Sequence, residues 1–184
     1  ATQNGTNIDI NGNPLTTLNT GQTYNYAMGN ANSAYINASA PIYVLQLSGF
    51  GCEVGLSILP PIICTGSQNV AFTRSNTETL FLTLLVQNGG EDDFLLNGAA
   101  GAINAGQFNA VPGTAGQWLS AQIQFNTTLV PPGVATFVSN TSNFFHMGMI
   151  HGSAGGGCRF GFFSDFNTFD VEAQASATDV CVGD

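Results

Sequence analysis

The run Thr79-Leu-Phe-Leu-Thr-Leu-Leu-Val-Gln87 constrains this chain more than any other. Nine residues, nearly all apolar and bounded by polar turns, are too few for a stable amphipathic helix, and they suit a strand buried on both faces. A second segment belongs beside it at the centre of a sheet: Phe144-Phe-His-Met-Gly-Met-Ile-His-Gly152, then a glycine-rich loop, then Cys158-Arg-Phe-Gly-Phe-Phe-Ser-Asp165. It reads as strand, loop, strand. The other apolar runs alternate with polar residues, as half-buried strands do, in Asn7–Ile10, Ile42–Leu47, Val70–Thr73, Trp118–Phe125 and Val134–Ser139. Asn11-Gly12 between alternating runs is the strongest short signal for a hairpin. Pro60-Pro61 excludes a central strand there, and the residues from Cys52 to Cys64 read as an apolar loop. No segment carries a 3.6-residue period of useful length. The expected fold class is all-β.

Similar stretches recur along the chain. Ile8-Asp-Ile-Asn11-Gly12 and Leu18-Asn-Thr-Gly21-Gln22 are echoed by Phe94-Leu-Leu-Asn97-Gly98 and Ile103-Asn-Ala-Gly106-Gln107. The run from Tyr35 to Cys52 is echoed by that from Phe137 to Cys158. This predicts two related β-sandwich halves, immunoglobulin-like or jelly-roll-like, from an internal duplication: residues 1–88 and 89–184, packed separately or as one continuous domain. Each half then delivers one cysteine after its central strand and another further on, which favours Cys52–Cys64 and Cys158–Cys181 among the three connectivities that four cysteines allow.

Charge bounds the function. The 184 residues carry 43% hydrophobic but only 7% charged side chains, so the polar surface is built from Asn, Gln, Ser, Thr and Gly. Lysine is absent, Arg74 and Arg159 are the only arginines, and the net charge is −9. Such a chain cannot neutralise a nucleic-acid backbone or an anionic membrane, and it has no apolar run long enough for a membrane span. An even cysteine count in an acidic, lysine-free chain points to an oxidising, extracellular setting. A start at Ala1 without methionine fits mature material, and Cys181-Val-Gly-Asp184 resembles the opening of a following immunoglobulin-like repeat, which would let Cys181 pair outside the chain.

Chemistry-bearing residues are few. His146 and His151 are five positions apart on one strand and therefore point to opposite faces, which separates them as metal ligands. Ser164 beside Asp165, near a histidine, is the closest approach to a nucleophilic site, but no Gly-x-Ser-x-Gly elbow exists and the chain is read as no enzyme. No cofactor is expected. Asp9, Asn11 and Asn13, and the turn Glu91-Asp92-Asp93, are weak calcium candidates, and a solvated hairpin turn is the better account of both. Arg159 with Asp165, and Arg74 with Glu78, read as structural ion pairs, with binding of an external carboxylate as the alternative. Asn4, Asn37, Asn126 and Asn140 head Asn-x-Ser/Thr acceptors for glycosylation.

Gln46-Leu-Ser-Gly-Phe-Gly-Cys-Glu53, Leu59-Pro-Pro-Ile62 with Cys64, Phe72-Thr-Arg-Ser75, Phe145-His-Met-Gly-Met-Ile-His-Gly152 and Gly157-Cys-Arg-Phe-Gly-Phe-Phe-Ser-Asp-Phe166 together resemble the IgGFc-binding-protein N-terminal-like β domains of large secreted or surface proteins of Bacteroidota. The resemblance spans nearly the whole chain. It implies an extracellular, non-enzymatic, adhesive role and brings no site residues with it; immunoglobulin binding itself is not carried to a bacterial member. The expected partners are copies of the chain or other surface proteins. A subunit of an extracellular filament or layer, built by adding a strand such as Asn7–Ile10 to a neighbour's sheet edge, is one alternative. A glycan-binding module using exposed aromatics such as Trp118 or Tyr24 is another.

Overall fold

The computed structural model describes residues 1–163 except Asn30, Asn32 and Cys64. In chain order the strands are β1 (Thr6–Ile10), β2 (Asn13–Leu18), β3 (Ile36–Ala38), β4 (Val44–Phe50), β5 (Glu53–Leu59), β6 (Asn69–Thr73), β7 (Thr79–Gln87), β8 (Phe94–Leu96), β9 (Asn109–Ala110), β10 (Trp118–Phe125), β11 (Ala135–Asn140), β12 (Phe145–Ser153) and β13 (Gly157–Phe163). The fold is all-β and its strand pairings are antiparallel, as expected from the alternating runs.

A five-stranded sheet in the order β13-β12-β7-β10-β9 forms the middle layer, with β7 at its centre. Successive side chains of a strand point to opposite faces, so β7 has two different sides. Its even side, Leu80, Leu82, Leu84 and Val86, is fully buried against Val70, Phe72, Phe94, Leu96 and Val138 of the three-stranded sheet β6-β11-β8. Each such side chain contributes about 1.5–3 kcal/mol by leaving water. Its odd side, Phe81, Thr83 and Leu85, is half-buried; the β4–β5 hairpin packs mainly on the edge strand β13 and reaches this side with Phe50, whose ring lies 6.4 Å from that of Phe81. The burial on both faces read from the apolar run is complete on the even side of β7 and partial on its odd side.

Strand β5 corrects the sequence reading, which made Glu53–Leu59 part of a loop. It pairs with β4 along its length, Leu47 opposite Leu56 and Leu45 opposite Ile58, and it ends at Leu59 where the two prolines begin. The hairpin comes close to the middle sheet because Gly55 has no side chain. A Cβ there would lie 2.6 Å from Cβ and 2.7 Å from the backbone nitrogen of Phe160.

The first two strands form the expected hairpin. Asn11 and Gly12 both have positive φ, 55° and 78°, the geometry that matches the twist of a tight hairpin. Strand β1 is the middle strand of the sheet β2-β1-β3, paired on both edges. The expectation that Asn7–Ile10 adds to a neighbour's sheet is therefore corrected, since neither edge of β1 has free backbone groups to offer.

Two pairs of turns are built alike. The Asn11 backbone N–H donates to the Tyr35 carbonyl and its side-chain oxygen accepts from the Tyr35 N–H, both at 2.8 Å; Asn97 does the same with Phe137, at 2.8 and 2.9 Å. The Asn19 N–H donates to the Gln22 side chain and the Asn104 N–H to the Gln107 side chain, each at 2.8 Å. Strands on either side of residue 88 nevertheless share sheets, with β7 pairing to β10 and β12 and β6 to β11.

Candidate functional site

Two places concentrate unusual chemistry. The first is a polar cluster where the loop after β6 meets the ends of β12 and β13. Arg74, only 3% exposed, begins this loop. Its Nε donates to the Asn76 carbonyl at 3.0 Å, Nη1 to those of Phe125 and Val130 at 3.1 and 3.4 Å, and Nη2 to that of Thr77 at 3.2 Å and to that of Glu78. A guanidinium has five N–H donors in a planar fork, and here they meet five carbonyls from three separate backbone stretches. Burial lowers the Arg74 pKa from its ordinary value.

The ion pair expected between Arg74 and Glu78 is thus replaced by a bond to the Glu78 carbonyl. The Glu78 carboxylate points elsewhere, accepting from Ser153 Oγ at 2.6 Å and Asn76 Nδ2 at 2.8 Å, with Arg159 Nη1 at 3.6 Å. The Ser153 hydroxyl first, then the Asn76 amide, hold its carboxyl below the usual glutamate range. Arg159 is more than half exposed, so this ion pair adds little stability. Asp165, its expected partner, lies outside the described residues, as does Ser164.

The histidines lie on opposite faces of β12, as strand parity requires. His151 is buried in the polar cluster, with Nδ1 3.3 Å from Ser75 Oγ. Burial, then the charges of Arg74 and Arg159, push its pKa down. A serine nucleophile needs a histidine whose second nitrogen is oriented by an acid. Here the second nitrogen, Nε2, has no hydrogen-bond partner among the described residues, and the Glu78 carboxylate is engaged by Ser153 and Asn76. The cluster reads as a structural tie between loop and sheet.

His146 sits on the other face between Trp118 and Phe162, with ring centroids 6.1 and 6.0 Å away. The Ile62 main chain approaches it, but neither ring nitrogen makes a well-formed hydrogen bond. Burial drives its pKa below 6.5. The folded protein therefore disfavours the charged form of both histidines, while the unfolded chain takes up protons below about pH 6.5. Stability is expected to fall as pH drops through this range. His146→Phe should leave stability at pH 7.5 equal or higher and flatten part of the fall between pH 6.5 and 5; thermal unfolding across that range checks it, and an unchanged slope would show that His146 is protonated in the fold.

The second place is the outer face of the β4–β5 hairpin. Its inner face carries Val44, Gln46, Ser48 and Phe50 from β4 and Gly55, Ser57 and Leu59 from β5, whereas Tyr43, Leu45, Leu47, Val54, Leu56 and Ile58 point outward and are 49–81% exposed. A solvent-facing ribbon ordinarily has the reverse pattern. Glu53, at the hairpin tip, is the only charged residue between Tyr43 and Leu59.

The remaining candidates have other surroundings. Among the weak calcium candidates, the Asn11 side chain holds Tyr35, the Glu91 carboxylate accepts from the Gly89 N–H at 2.7 Å, and that of Asp93 accepts from Ser142 Oγ at 2.5 Å. Asp9 lies within β1, Asn13 bonds the Asn11 carbonyl and Asp92 is exposed in its turn. Among the described residues no three His, Cys, Asp or Glu are gathered to hold a metal ion.

Of the glycosylation acceptors, Asn4, Asn37 and Asn126 are exposed. Asn140 is buried, its amide donating to the Gly90 carbonyl at 2.7 Å, which leaves it no room for a glycan. Trp118 is buried beside His146, which corrects its reading as an exposed aromatic; Tyr24 is 51% exposed. Among the described residues neither Cys52, exposed, nor Cys158, half-buried, is in a disulfide, and their expected partners Cys64 and Cys181 lie outside the described residues. No helix among the described residues is long and apolar enough to cross a membrane.

A family model described as IgGFc binding protein matches residues 1–147. No curated protein and no solved structure matches the chain.

Proposed function

Because the chain belongs to the IgGFc-binding protein family, we propose that it is an extracellular protein-binding β module with a structural or adhesive role at a bacterial surface, making its contacts through the outer face of the β4–β5 hairpin. The observation that carries this reading is the outward apolar face itself. Five aliphatic side chains and a tyrosine, clustered on one ribbon without a charge among them, form the kind of patch that marks a protein contact site. The low overall charge and the polar cluster locked into backbone ties support binding in preference to catalysis. A glycan site finds less support, because Trp118 is buried and Tyr24 lies away from the hairpin in sequence.

Beads coated with the full chain should adhere to at least one protein-coated surface among three: the chain itself, an immunoglobulin Fc fragment and a mixed extracellular glycoprotein. The double substitution Leu47→Asp, Leu56→Asp should reduce adhesion at least tenfold. Absence of adhesion to all three, or adhesion that survives the double substitution, would sink the proposal.

A further inference from the structure

We infer that the outer face of the β4–β5 hairpin pairs with the same face of a second copy of this chain, so that two hairpins stack face to face about a two-fold axis. This deepens the binding reading above and rests on it, and it names the partner.

Four observations converge on a copy. The face is aliphatic at its middle, with Leu47 opposite Leu56 and Leu45 opposite Ile58 on neighbouring strands and Val54 beside them. Interfaces between unlike proteins draw on arginine, tryptophan and placed polar groups, whereas homodimer interfaces are the more apolar class. This face offers no charged group, and its only hydroxyl is that of Tyr43, so it carries little to select a foreign partner.

Size agrees. From their fractional exposures, the six side chains leave on the order of 600–800 Å² open, close to the roughly 800 Å² per partner of a stable pair and above the largest patch of a typical monomer.

Charge agrees as well. Each chain carries −9, so two copies repel wherever acidic residues face one another. The hairpin face lets them meet without bringing like charges together, because the hairpin's one acidic residue, Glu53, lies at its tip and not on that face.

Shape completes the case. A two-stranded antiparallel ribbon is a sheet face, and sheet faces stack about 10 Å apart with their side chains interdigitated. A two-fold axis in the plane midway between the two faces, above the Leu47–Leu56 pair, would set the patch against itself, as an isologous interface requires.

Sedimentation velocity of the full chain at about 50 μM should show a species of twice 19.1 kDa. Leu47→Asp with Leu56→Asp should raise the dissociation constant at least 100-fold and leave monomer. Both sites are exposed, so the fold should survive, and far-ultraviolet circular dichroism checks this. Ile58→Lys, on the same face, should also give monomer, whereas Tyr24→Asp, outside the hairpin, should leave the pair intact. A wild-type chain that stays monomeric at 50 μM, or a pair that persists in both face variants, overturns the inference. If the wild type is monomeric while its beads still bind another protein through this face, self-pairing fails and the broader binding reading stands; if bead adhesion is also lost or is indifferent to the substitutions, both fall.

Discussion

Replacing Arg74 with methionine should cost about 3–5 kcal/mol of folding stability, the effect of breaking a buried charged network. Methionine fills much of the same volume, so the loss comes from the polar groups left behind. The carbonyls of Phe125 and Val130 lose the Arg74 donors in a site where water is excluded, and each unsatisfied group costs about 1–3 kcal/mol. The carbonyls of Asn76, Thr77 and Glu78 are nearer solvent and should recover partners more easily. Arg74→Lys retains the charge but has three donors at one point in place of a five-donor fork, so it should recover less than half of the loss. Urea denaturation of the two variants decides the matter. A methionine variant within about 1 kcal/mol of wild type would show that the guanidinium is dispensable.

The second large effect is expected at Gly55. A valine there would force its Cβ into Phe160, where the nearest atoms are the phenylalanine Cβ and backbone nitrogen, neither of which can swing aside. Overpacking of this kind costs about 1–3 kcal/mol, and more where backbone must move. The hairpin should lift, so amides of β4 and β5 should exchange hydrogen much faster while those of β7 and β10 keep their protection. Gly148→Ala is the control, since its added Cβ would meet nothing closer than 3.5 Å and should change stability little. Equal protection in β4 and β5 of Gly55→Val and wild type would refute the close docking of the hairpin.

These effects also show what was readable from residues alone. The burial of Thr79–Gln87, the Asn11-Gly12 turn and the separation of the two histidines followed from side-chain parity and backbone chemistry, which are local properties. Strand β5 was missed although Val54, Leu56 and Ile58 alternate cleanly; the prolines that end it at Leu59 drew attention to a loop, and its apolar residues face outward, against the usual sense of the pattern. Arg74 was misassigned because its partners are carbonyls, which every residue has and no sequence pattern marks. The burial of Trp118 and Asn140 depends on chain segments that meet only in the folded state, Phe162 for one and Gly90 for the other. The Asn-Gly turns were legible as well, and the same side chain makes the same pair of bonds at both Asn11 and Asn97.

The middle sheet acts as a partition between two chambers that differ in kind. Changes at even positions of β7 are felt in a closed apolar interior, while changes at odd positions fall on a half-buried face that the hairpin touches at Phe81. Adjacent residues on one strand therefore address different properties: Leu82 bears on how firmly the protein holds together, and Phe81, its neighbour, on how firmly the hairpin is seated. The seat of the hairpin can thus be adjusted at Phe81 while the structural core on the other side stays as it is.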